Sequence, residues 1–244
     1  MPDPSLLALT WRVSRRRLLA SPPAIAAGLA YPALIAWIGL SDSYATASRF
    51  FIFLVPHVFL LAAQDTVRTD VESGALESVL FLGGRFRRFL AAKGLVLAAA
   101  AAGYTACLFV LLAAWGAVAG GLGPDLFLRF GLALVAGAYY AALAGVLSHF
   151  LKSGSNVLVV LLVQAGAVMA LVFSTTARTG ILDYAAAGRF PGLGPKLAFG
   201  ALAAVLPNVI VSGRLPLFTA EVVILLGLAL LAGKRLRERL ELRK

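Results

Sequence analysis

The stretch GLVLAAAAAGYTACLFVLLAAWGAVA, Gly94–Ala119, carries no charged side chain over 26 positions. A helix needs about 20 mostly apolar residues to cross the hydrocarbon core of a bilayer, so this segment alone is long enough to span one. Five further apolar runs flank it: 24–40, 50–63, 127–147, 156–174 and 217–233. The second is short and is interrupted by Pro56 and His57; it reaches span length only with Ala47 and Gln64 included. Together they predict an all-α integral membrane protein with six transmembrane helices.

Composition agrees. The chain is 61% hydrophobic and 14% charged, against about 45–50% and about 25% for soluble domains. That excludes an ordinary soluble enzyme and a disordered chain. A single cysteine, Cys107, excludes a disulfide scaffold and any multi-cysteine metal site.

The net charge of +11 is informative through its placement. Basic residues gather at Arg12–Arg17, Arg68–Lys93, Lys152 and Lys234–Lys244, between apolar runs rather than along one aromatic-laced face. They therefore read as a topology signal and exclude nucleic acid as a partner. With six spans and both termini on the cytoplasmic side, the inner segments hold 16 of the 22 Lys and Arg. The run 197–213, broken by Pro207 and Asn208, is then a re-entrant or interfacial hairpin before span six. A seventh span would place the basic tail 234–244 on the wrong side.

Residues 1–23 predict an interfacial helix, with Arg12, Arg15 and Arg16 on its polar face. No small-residue cleavage site follows the first run at Gly39–Asp42, which favours an N-terminus kept in the mature protein. The chain divides into this helix, spans one and two (24–64), an inner segment (65–93), spans three to five (94–174), an outer loop with the hairpin (175–216), span six (217–233) and the tail. The expected location is the plasma (inner) membrane, multi-pass.

The inner segment 65–93 is the long connection on its side. Thr69 and Glu72 fit a capping box, after which Val71, Ala75, Val79 and Leu82 recur near helical spacing until Gly83-Gly84. Asp70, Glu72 and Glu77 make the start acidic, and an anionic membrane surface would repel it. An acidic start followed by an apolar patch reads as a docking surface for a soluble partner.

Asp70, Glu72, Gly74, Leu76, Glu77, the basic turn Arg85–Arg88 and Lys93 opening the next span resemble the coupling region of type-2 permeases of ATP-binding-cassette (ABC) exporters. The resemblance extends to the N-terminal interfacial helix, the six spans, the broken hairpin and the basic tail. It implies a transmembrane half-transporter that pairs with a second permease copy or paralogue. Two cytoplasmic ATPase subunits would dock through a coupling helix at Asp70, Glu72, Leu76, Glu77 and Leu80, with Gly74 permitting close backbone approach. The chain has no G-x-x-x-x-G-K-[ST] phosphate loop, so it is not itself an ATPase and binds no cofactor; ATP and Mg belong to the partner. The haem-exporter permeases of cytochrome c maturation are similar around Asp70–Leu82, and a non-transporting membrane scaffold is the reading from another class. Without a large external domain to receive a binding protein, export is the expected direction.

Polar groups inside spans are costly and mark function or helix–helix contact. His57, Gln164 and Glu221 are the candidates for a translocation path, while His57 and Gln164 also suit hydrogen bonding between helices. Tyr139-Tyr140 sit deeper than interface anchoring explains. An intramembrane enzyme is disfavoured. Ser148 and His149 are neighbours that point apart on a helix, Asp42, Asp65, Asp125 and Asp183 are not mid-span, and two histidines alone make no metal site.

Overall fold

A computed structural model describes residues 4–20, 22–64, 70, 74, 76–77, 86–119, 121–148, 151, 155–176, 189–205, 227, 231 and 234. The regular structure among them is α-helical: α1 (Pro4–Ala20), α2 (Pro22–Ser41), α3 (Tyr44–Leu54), α4 (Pro56–Ala63), α5 (Phe86–Val118), α6 (Pro124–Leu147), α7 (Ser155–Thr176) and α8 (Leu193–Val205). Three apolar stretches are long enough to cross a membrane: Tyr44–Ala63, Arg88–Val118 and Pro124–Leu147. The apolar helices Ile25–Ser41 and Ser155–Ala170 are shorter. Of expected span six (217–233) only residues 227 and 231 are described, and the later half of the hairpin, with Pro207 and Asn208, lies outside the described residues.

Several boundaries move, each for a local reason. The second span starts at Tyr44, six residues before the apolar run, because Ser43 caps it: its hydroxyl accepts the Thr46 N–H at 3.2 Å. This length overcomes the interruption at Pro56, where α3 ends and α4 begins with proline at its first position. The third helix starts at Phe86 rather than 94, so the last part of the inner segment belongs to α5. Gly123 and Pro124 open α6 three residues early. Leu193–Lys196, expected as loop, is the first turn of α8, which tolerates Pro195 there.

The packing forms two layers along the bundle. At the end where α1 meets α2, here the near end, Leu60, Ala63, Tyr139, Tyr140, Ala144, Val157 and Val160 join α4, α6 and α7. At the far end, Ile35, Ala47, Phe51, Val55, Leu108, Leu112, Leu126 and Ala133 join α2, α3, α5 and α6. Close approach at the far end depends on glycine: the Trp115 ring occupies the space a side chain on Gly39 would need, and Tyr44 does the same at Gly116. Arg129 of α6 donates to Ser48 of α3.

Helix α1 packs against α5 and α2. Its inward face is small and polar: Thr10 and Ser14 are buried, and the Thr10 hydroxyl returns to the Leu6 carbonyl at 2.6 Å. Leu9, Trp11, Val13, Arg12, Arg15 and Arg16 are exposed.

Candidate functional site

Two polar constellations sit between helices, one at mid-bundle and one at the near end.

The first follows from the break at Pro56. Proline offers no N–H to the preceding turn, and His57 is the next residue. Its Nδ1 lies 2.7 Å from the Phe53 carbonyl, and its Nε2 lies 2.9 Å from Gln164 Oε1 on α7. The Gln164 amide nitrogen reaches the Tyr140 hydroxyl of α6 at 2.8 Å. The rings of His57 and Tyr140 are stacked, with centroids 5.1 Å apart and planes inclined by 28°. Three helices are thus joined through one amide.

Donor accounting defines what this cluster can do. A carbonyl only accepts, so Nδ1 carries a proton and donates to Phe53. In neutral imidazole, Nε2 is then an acceptor and needs the amide NH2, so Oε1 turns to accept the Tyr140 O–H. In imidazolium, both ring nitrogens donate, and the amide takes the orientation given by the distances above. Both protonation states close their hydrogen bonds after a half-turn of the Gln164 amide. His57 and Gln164, expected separately as path residues, are brought together; Glu221 and His149 lie outside the described residues.

The second constellation anchors the inner segment. Lys93, on the second turn of α5, donates to Asp70 in a buried ion pair. Leu76 is buried at 1% exposure, while Glu77 is exposed. Gly74 has φ of +69°, a left-handed conformation that side chains disfavour. Of the expected docking residues, Asp70 and Leu76 are buried, while Glu77 is exposed. The expected single helix is interrupted, because a left-handed residue cannot belong to an α-helix. Glycine suits this turn, and the space beside Gly74 holds no atom of this chain within 4 Å. Glu72 and Leu80 lie outside the described residues.

At the start of α7, Asn156 is fully buried. Its Nδ2 donates to the Gln64 carbonyl at 2.9 Å, and its Oδ1 accepts the Val157 N–H at 2.9 Å. The end of the second span is thereby fixed to α7. Sequence reasoning passed over Asn156 and the pairing role of Lys93, although a lone amide or amine at the edge of an apolar run is a usable signal.

Among the described residues, no group of three or more His, Cys, Asp or Glu could hold a metal ion. Compared with protein-family models, curated proteins and solved structures, the chain matches none. What is shown is an all-helical architecture with three helices of membrane-crossing length and composition, a membrane protein by its physical character.

Proposed function

We propose that this chain is the permease subunit of an ABC exporter, pairing with a second permease and coupling to two cytoplasmic ATPase subunits through segment 65–93. In this reading six spans cross the plasma (inner) membrane, both termini are cytoplasmic, and the near end faces the cytoplasm. The observation that carries it is the buried Asp70–Lys93 pair. Mechanical coupling requires the segment a partner pushes to be fixed to a span, and a solvated loop would absorb the push. Here the segment's start is tied to the root of α5, with Leu76 buried and Glu77 left outward. When ATP draws its binding subunits together, the segment and α5 move as one lever, and the spans exchange between inward and outward arrangements. His57, Gln164 and Tyr140 would lie along the path or hold the helices that enclose it.

The test is capture of the tagged chain from its native membrane in mild detergent, followed by mass spectrometry and an ATPase assay. A P-loop ATPase co-purifies, and Glu77→Arg weakens its capture severalfold while the chain's own melting is unchanged. A preparation with no ATPase, under conditions that preserve other complexes, overturns the permease reading in favour of a scaffold.

A further inference from the structure

An apolar groove of about 350 Å³ runs between α2, α4 and α5 on the near half of the bundle, with Ile25, Gly28, Leu29, Leu61, Ala100 and Tyr104 among its lining. The Tyr104 hydroxyl donates to the Gly28 carbonyl at 2.6 Å, closing its floor without leaving a polar group to solvate. A side chain added at Gly28 would meet nothing within 4 Å, so the space there is open. The groove lies on the first turns of α2, directly after α1.

Helix α1 carries a second concavity of about 430 Å³, lined by Leu9, Arg12, Val13, Arg15 and Arg16. Among the described residues no carboxylate pairs with these arginines. The orientation of α1 is inverted relative to a helix on a soluble protein. Thr10 and Ser14 face inward, while Leu9, Trp11 and Val13 are exposed beside the arginines. Cations flanked by apolar side chains suit the boundary between headgroups and acyl chains. Since α1 packs on both α2 and α5, two walls of the groove share the helix that bears the charge.

We infer that this chain binds one anionic phospholipid in the leaflet bordering α1, its headgroup on Arg12, Arg15 and Arg16 and an acyl chain in the α2–α4–α5 groove. The occupant follows from the two surfaces together: an apolar groove among the apolar helices, and a cationic hollow on the helix packed against two of its walls. A peptide would need backbone hydrogen-bond partners that the groove does not offer, whereas an acyl chain needs none. The inference rests on the membrane character of the helices and is independent of any ATPase partner.

The experiment uses the full chain purified in mild detergent, exposed to equal amounts of phosphatidylglycerol and phosphatidylcholine and read by native mass spectrometry. One phosphatidylglycerol is retained per chain, in preference to phosphatidylcholine by at least about fivefold, since each basic residue near an anionic surface contributes about that factor. The triple variant Arg12→Gln, Arg15→Gln, Arg16→Gln keeps one lipid but loses the preference. Gly28→Leu fills the groove and loses the retained lipid of either class; Ala62→Leu, from α4, does the same and serves if Gly28→Leu fails to fold. Equal retention of the two lipids by the unaltered chain overturns the proposal. So does lipid retention by both folded groove variants, or a dimer that either variant dissociates, which would make a second copy the occupant.

Discussion

The ring of Phe59 on α4 occupies the space that a side chain on Gly137 of α6 would fill. The contact lets α4 and α6 approach closely, as small residues do between membrane helices. Gly137→Ala should therefore destabilise the protein by about 1–3 kcal/mol, because a buried ring cannot yield as a flexible side chain can. In a Phe59→Leu background the same change should cost distinctly less. Thermal unfolding of the four proteins in one detergent decides it, since an equal cost in both backgrounds would acquit the ring.

Breaking the Asp70–Lys93 pair from one side should be worse than removing it. Asp70→Leu or Lys93→Met alone leaves an uncompensated charge in a buried site, at about 3–5 kcal/mol. The double variant should melt above either single one. If it melts below both, the pair is not a unit.

At mid-bundle, His57→Phe keeps a ring against Tyr140 but loses both nitrogens, and Gln164→Leu removes the amide between α4 and α6. Each should be destabilising, and the pair should be less than additive by about 0.5–2 kcal/mol, the range for hydrogen bonds between membrane helices. Additive losses would show that the 2.9 Å contact contributes nothing to stability.

Asn156 presents a different test, because its two hydrogen bonds go to backbone. Asn156→Leu should cost about 1–3 kcal/mol by leaving the Gln64 carbonyl and the Val157 N–H without these partners. The loss should be local. Hydrogen exchange should accelerate around Gln64 and the first turn of α7 while α5 stays protected.

How much of this was legible beforehand depended on range. The central apolar run gave α5 directly, since hydropathy over 26 residues needs no neighbour to interpret it. The second span was underestimated because its start rests on one hydroxyl, Ser43, whose capping role appears only once Thr46 is placed over it. Charge and periodicity mark 65–93 as a surface-like segment and the resemblance supplies the docking set, but neither tells which side chains the segment turns inward. Asp70 reads as exposed until Lys93, 23 positions later, is brought against it. The depth of Tyr140 was visible as an anomaly in sequence, and its cause was not: Gln164 lies 24 residues away on another helix.

The break between Val55 and Pro56 falls on the seam between the two packing layers. Phe51 and Val55 belong to the far layer, Leu60 and Ala63 to the near one. A continuous helix resists bending through its ladder of backbone bonds, and at this seam proline has already removed a rung. The Tyr44–Ala63 stretch is therefore two helical struts, α3 and α4, meeting at a joint one backbone bond weaker than the rest. Phe51 and Val55 hold the upper strut in the far layer, and Leu60 and Ala63 hold the lower one in the near layer. His57, the first residue past that proline, ties the lower strut to α7 through Gln164, so the weakened joint lies beside a link to a third helix.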